Sequence, residues 1–339
     1  MTDTLETRQI TPSTEAVDPL LALDPGDDVQ ILRLTDRRLV AEDVLELTFA
    51  SLDGSDLPPW EPGAHLDIVL TDGLVRQYSL CGDPDDRKTY RVAVLREAEG
   101  RGGSRRIHDE LLVGDHVGIQ GPRNHFAFHP SKRYLFIAGG IGVTPLIPMI
   151  RAAEQAGAEW RLVYGGRSLT SMSYRDELAH WGERVTFWPE DSHGRIDLPS
   201  LLGTPIEDTL VYCCGPEPLL DAVQDHCGSW PAGALHVEHF SAADIDDSAN
   251  TSFEVELTES GMTVEIPADR SILDVVTKDL GIFVSTSCSE GTCGSCETAV
   301  VSGEVDHRDV VLTPEEQEAN ESMMICVSRC KGRKLTLEL

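Results

Sequence analysis

Four cysteines constrain this chain more than any other feature. Cys288, Cys293, Cys296 and Cys326 read C-x4-C-x2-C followed by a distant fourth. Three thiols within nine residues can converge only if the loop between them winds tightly. The segment Cys288-Ser-Glu-Gly-Thr-Cys-Gly-Ser-Cys296 supplies Gly291 and Gly294, where the backbone can turn inward with positive φ and aim its amides at sulfur. This is the plant-type spacing for a [2Fe–2S] core, which takes four thiolates. Ser287, Ser289 and Ser295 can add hydroxyl donors, and Cys326 closes the far side from the apolar run Met324–Ser328.

A structural zinc and a disulfide are the alternatives. Zinc sites usually pair two short C-x2-4-C knuckles. A second knuckle is missing here, because Cys326 and Cys330 are four apart without turn glycines. Cys330 reads as a bystander. Cys81, Cys213 and Cys227 show no ligand spacing and read as small apolar residues.

A chain of 339 residues suits two or three domains. Nine cysteines, an odd number without a secretory leader, predict a reducing compartment. No apolar run approaches a membrane span. A soluble, cytoplasmic, monomeric protein is expected. The formal charge of −30 disfavours nucleic acid and anionic membranes as partners. The acidic stretch from Glu297 to Glu321 follows the cysteine loop. It is either a solvated face or a docking site for a basic protein partner.

Hydrophobic patterning divides the chain. Residues 1–27 are acidic and proline-dotted, as in a flexible tail. Residues 28–130 carry short alternating runs separated by Gly and Pro, which predict a small antiparallel β-barrel. Residues 131–240 alternate apolar strands with helical segments, which predicts a parallel α/β domain. Residues 241–252 read as a linker. Residues 253–339 read as a hairpin, a helix at 272–280 capped by Asp269 or Ser271, the cysteine loop and two further strands.

Three upstream motifs suit phosphate or ring binding. In Arg76-Gln-Tyr-Ser79, Arg76 and Tyr78 share one strand face: a forked cation for phosphate and a ring for a flat ligand. Gly100-Arg-Gly-Gly-Ser-Arg-Arg106, running into a helix at 107–112, offers amides and charge for a terminal phosphate. Gly139-Gly-Ile-Gly-Val-Thr-Pro145 joins a buried strand to a helix at 145–156. With Cys213-Cys-Gly-Pro216 at another strand end, it marks a dinucleotide crevice, although it does not match G-x-G-x-x-G. An ordinary strand pair or turn explains any one of these alone.

With R-x-Y-S, G-R-G-G-S, G-G-I-G-x-T-P, C-C-G-P and the plant-type cysteines in this order, the chain resembles the phthalate dioxygenase reductase family over residues 29–339. That family is a branch of the ferredoxin–NADP reductase superfamily that includes vanillate demethylase reductase subunits. The resemblance implies a flavin-binding barrel, a nucleotide-binding α/β domain and a C-terminal, β-grasp-like ferredoxin domain. By motif position, Arg76, Gln77, Tyr78 and Ser79 would contact FMN, Ala93, Val94 and Leu95 would line its ring, and Gly102, Gly103 and Ser104 would bind its phosphate. Gly140, Thr144, Cys214, Gly215 and Pro216 would hold the nicotinamide nucleotide. Ser79 and Cys214 would flank the hydride path, with Phe240 near the flavin. Cys288, Cys293, Cys296 and Cys326 would bind the cluster.

The implied activity moves a hydride from NADH or NADPH onto FMN and passes single electrons through the [2Fe–2S] cluster to an oxygenase component, Rieske type or cytochrome P450. An FAD-dependent ferredoxin-type reductase and a non-enzymatic metal-binding protein are the competing readings. The glycine–arginine cradle favours a mononucleotide. In Gly165-Gly-Arg-Ser168, Arg167 and Ser168 leave room for a 2′-phosphate, although near members of the family use NADH. Arg167 could equally pair with Asp176 or Glu177, so the nucleotide preference stays open.

Overall fold

The computed structural model describes residues 29–70, 74–97, 102–241, 245 and 247–339. The expected tail, and Gly100 and Arg101 of the glycine–arginine run, lie outside the described residues.

Alternating apolar residues build the first unit. Strands β1 (Val29–Ala41), β2 (Val44–Ser51), β3 (Ala64–Val69), β4 (Val75–Ser79), β5 (Thr89–Leu95) and β6 (His116–Asn124) form an antiparallel sheet in the order β4-β3-β6-β1-β2-β5. A bridge between Leu80 and Val92 joins its two edges and closes it into a barrel. Leu34, Leu47, Phe49, Leu66, Ile68 and Val92 fill the interior. Helix α1 (Gly103–Glu110) drives Ile107 into the same core. The sequence places this helix four residues later. Gly102, at φ 91°, turns the chain so sharply that the helix begins at the next residue.

The second unit runs β7 (Arg133–Gly139), α2 (Leu146–Gln155), β8 (Glu159–Gly166), α3 (Arg175–Ala179), β9 (Val185–Pro189), α4 (Glu190–His193), α5 (Leu198–Leu202), β10 (Thr209–Cys214), α6 (Glu217–His226) and β11 (Leu235–Glu238). Its sheet is parallel, in the order β11-β10-β7-β8-β9. Period-two alternation splits the core. Leu135, Ile137, Val211 and Cys213 pack with α5 and α6, whereas Phe136, Ala138, Tyr212 and Cys214 face α2 and the barrel. The chain leaves β7 toward β8 and β9, then returns through β10 on the other side. The gap between β7 and β10 is therefore the switch point where α/β sheets bind ligands.

Salt links seat this sheet on the barrel. Glu177 pairs with Arg91 at 3.4 Å and Arg151 at 2.5 Å, and Arg151 also donates to the Gly82 carbonyl at 3.0 Å. Glu177 is thus committed to the domain junction rather than to Arg167.

The third unit contains β12 (Phe253–Leu257), β13 (Met262–Ile266), α7 (Ile272–Lys278), β14 (Glu297–Ser302), β15 (Val305–Asp306), α8 (Pro314–Ala319), β16 (Ser322–Met324), β17 (Arg329–Cys330) and β18 (Lys334–Leu337). Its main sheet runs β13-β12-β18-β14-β16. Of the two caps considered, Ser271 starts α7, its hydroxyl accepting the Asp274 N–H at 3.0 Å. Within the acidic stretch, Thr313 and Glu316 form a reciprocal cap for α8. Cys330 pairs across from Val305 in the small β15–β17 ribbon.

Candidate electron-transfer site

All three units wall one cavity of about 190 Å³. The barrel contributes Arg76, Gln77, Tyr78, Ser79, Ala93, Leu95, Gly102, Gly103 and Ser104; the α/β unit contributes Thr144, Glu238 and Phe240; the third unit contributes Thr292, Val310 and Val311. Strand alternation predicts opposite directions for Arg76/Tyr78 and Gln77/Ser79. All four nevertheless border the cavity, because β4 is an edge strand running along its wall. Val94 points the other way, into the barrel core.

A phosphate cradle lies at one end. Gly102 precedes α1 with no side-chain cap, which leaves the first amides of an eight-residue helix open. Gly103 is required by Arg76: a β-carbon there would sit 2.7 Å from the Arg76 Cγ and 2.9 Å from its Nε. The Ser104 hydroxyl accepts the Glu97 N–H at 3.1 Å. Forked cation, bare helix terminus and glycine clearance together fit a flavin mononucleotide phosphate.

The nucleotide motifs meet at the switch point. A β-carbon on Gly142 would lie 2.3 Å from the Cys214 carbonyl oxygen, and one on Gly139 would lie 2.6 Å from the Pro216 ring. The two turns therefore pack backbone against backbone, and Gly215 and Pro216 wall the crevice rather than the cavity. Gly140, at φ 56°, opens to free space. Arg167 is exposed at the end of β8, and Ser168 caps the turn that follows by accepting the Ser171 N–H.

Glu238 is the residue that the sequence reading missed. Its carboxyl meets the Cys214 thiol at 3.7 Å and also bonds Ser79. Burial pushes this carboxyl up to about 8, against the opposing pull of those two bonds. Burial, and then Glu238, push the fully covered Cys214 thiol far above its usual range. The only sequence signal was Glu238 lying two residues before Phe240 on a strand ending at the crevice.

The four predicted cysteines are all buried and in mutual reach. Cys288 contacts Cys293 and Cys326, and Cys296 contacts Cys326. Backbone N–H groups of Glu290 and Thr292 donate to Cys288 Sγ at 3.3 and 3.4 Å, and that of Ser295 to Cys293 Sγ at 3.4 Å. Gly291 and Gly294 take φ of 72° and 69°, which creates those amide directions. The protein alone lowers two thiols, Cys288 and Cys296, the latter through its contact with Cys326. Cys293, then Cys326, hold Cys288 below the usual range, and Cys288 in turn pushes Cys293 and Cys326 up. Four thiolates together require a cationic core. Among the described residues, no three His, Cys, Asp or Glu side chains are placed about a single ion. The sulfurs form a chain of contacts, Cys293–Cys288–Cys326–Cys296, that offers four thiolates to a two-iron core.

Comparison with known proteins agrees with this geometry. Residues 255–331 match the 2Fe-2S iron-sulfur cluster binding domain, and residues 136–225 match the oxidoreductase NAD-binding domain. Phthalate dioxygenase reductase of Burkholderia cepacia is 40% identical over 314 residues, covering 91% of this chain and 97% of that protein. The chain belongs to the phthalate dioxygenase reductase family.

A second member, the carnitine monooxygenase reductase subunit of Escherichia coli, is 38% identical over 308 residues, covering 88% of this chain and 95% of that one. The solved phthalate dioxygenase reductase superposes with a TM-score of 0.69 at 38% identity, over 95% of this chain and all 100% of that one. An intact type IV self-sufficient cytochrome P450 monooxygenase superposes with a TM-score of 0.86 at 44% identity over 98% of this chain, which spans 43% of that protein. As a family member the chain is a flavin- and nicotinamide-dependent oxidoreductase with a [2Fe–2S] cluster. No helix of the described residues is long and apolar enough to cross a membrane.

Proposed function

We propose that this chain is the reductase component of an oxygenase system, accepting a hydride from NADH or NADPH and delivering single electrons to an oxygenase of Rieske or cytochrome P450 type. One observation carries the proposal: Thr292, inside the cluster loop, and Glu238, at the nucleotide crevice, wall the same cavity as the Arg76–Gly103 cradle. When bound, the nucleotide and FMN supply two-electron chemistry, and the cluster supplies a one-electron outlet. Several relatives are named as subunits of dioxygenase or monooxygenase systems, which supports an oxygenase acceptor. Nine unpaired cysteines support a cytoplasmic setting.

The chain's own residues would act by position. Arg76, Gly102, Gly103 and Ser104 hold the flavin phosphate, while Gln77, Tyr78, Ala93 and Leu95 border its ring. Gly140, Thr144, Gly215 and Pro216 shape the nucleotide crevice, and Arg167 and Ser168 stand where an adenine ribose would end. Ser79, Glu238 and Cys214 form a hydrogen-bonded group at the hydride path. Glu238 keeps its proton on the carboxyl, so this group adds no fixed charge where a hydride must pass. Phe240, 43% exposed, covers the cavity rim.

Anaerobic titration of the holoprotein with NADH and with NADPH tests the proposal. Both flavin and cluster absorption should bleach, and the reduced protein should support turnover of a Rieske or P450 oxygenase. Bleaching of neither chromophore would refute it.

A further inference from the structure

The barrel and the cluster loop touch through a closed ring of side chains. The Thr292 hydroxyl donates to Gln77 Oε1 at 3.3 Å. The Gln77 amide lies 3.0 Å from His65 Nε2. His65 stacks on His125, with ring centroids 5.9 Å apart and planes at 27°. His125 then returns to the loop: its ring bonds the Cys293 backbone. It also lies so close over Gly294 that a β-carbon there would be 2.4 Å from His125 Cε1. The path runs Thr292–Gln77–His65–His125–Gly294, so it leaves the loop on one side of Cys293 and re-enters it on the other.

We propose that His125 and Gln77 are positioning residues that latch the cluster loop onto the wall of the flavin cavity and so set flavin-to-cluster electron transfer. The inference rests on the reductase reading above. Connectivity does not explain the contact, since the third unit follows the α/β unit in sequence, not the barrel. The contact is also matched in shape and polarity. Only glycine admits the His125 ring, and the two polar arms engage Thr292 and the Cys293 backbone, within the loop that carries three of the four cysteines. A slip of one residue would break both arms together.

The test uses the full chain carrying flavin and cluster, with His125→Ala, Thr292→Val and the double variant, followed by anaerobic stopped flow with NADH. Each single variant should slow cluster bleaching about fivefold, the loss of one hydrogen-bonded contact, and the double variant should slow it further. The rate of flavin bleaching should not change. Thr292→Ser keeps the hydroxyl, and with it the contacts to both Gln77 and Cys288, and should behave as wild type. Hydrogen exchange supplies a readout without turnover. Amides at 123–126 and 291–294 should exchange faster in the double variant, with the parallel sheet unaffected. If His125→Ala fails to assemble a cluster, Thr292→Val decides alone. Unchanged cluster bleaching and unchanged exchange would overturn the latch. A wild-type protein whose flavin is not bleached by either nucleotide would instead sink the reductase reading, and the exchange result would still decide whether the latch exists.

Discussion

Replacing Glu238 by Gln tests the electrostatics of the hydride path most directly. The carboxyl stands at about 8, against an ordinary value near ~4.3, because protein encloses it between Ser79 and Cys214. At about 1.4 kcal/mol per pKa unit, ionising it in the folded protein would cost ~5 kcal/mol. Glu238 borders a cavity that water enters, and its residue surface is only partly covered, so screening reduces this to about 2–3 kcal/mol. The sign follows from proton counting. Between the unfolded and folded pKa values the folded state binds the extra proton, so wild-type stability falls as pH rises from ~4.3 to about 8. Below that window the two proteins should match. Above it, E238Q should be the more stable.

The assay is the difference in the first thermal transition between wild type and E238Q, measured from about pH 4.5 to 8.5. The difference cancels the other titrating groups. It should grow across the window to roughly 5–10 °C for a unit of this size. A difference that stays flat with pH would show that Glu238 is ionised and solvated in the folded protein, and would remove the neutral carboxyl from the hydride path.

Three further outcomes follow from the same geometry. Cys293→Ser should abolish cluster absorption and reduction of a protein acceptor while sparing flavin bleaching by NADH; equal loss of both would contradict a serial path. Arg76→Ala should weaken FMN retention by roughly tenfold or more, the loss of a charge-assisted bond, read as flavin content after gel filtration; unchanged content would take Arg76 out of the phosphate cradle. Gly142→Ala places a methyl 2.3 Å from the Cys214 carbonyl oxygen, where only backbone can yield, and should raise KM for the nucleotide with flavin content intact. A wild-type KM would show that the two turns need not touch.

What the sequence revealed and what it hid separate on physical grounds. The cysteine loop was legible because a four-thiolate core imposes spacing and glycines locally, within one segment. The barrel and parallel sheet were legible from period-two and continuous apolar runs. The short helix α5 was not: it depends on Asp197 accepting the Ser200 N–H, which leaves no periodic signature. Glu238 and His125 were hidden for a different reason. Each is an ordinary residue near a strand end, and its significance comes from a partner in another unit: Ser79 for Glu238, Gly294 for His125. Sequence separation conceals such pairs, whereas a motif advertises itself.

The three-sided cavity also explains why the fold divides the work as it does. Nucleotide must enter and leave on every cycle, so its crevice lies at the open switch point between β7 and β10. The cluster loop lies on another wall, reached through Thr292, Val310 and Val311. Exchange at the first wall therefore need not disturb the outlet at the second. If both shared one wall, each departing nucleotide would uncover the path to the cluster. The barrel contacts both, through Glu177 with Arg91 on one side and Gly294 with His125 on the other. It therefore fixes the distance an electron must cross, and substitutions at its two seams should separate hydride uptake from electron delivery in a single chain.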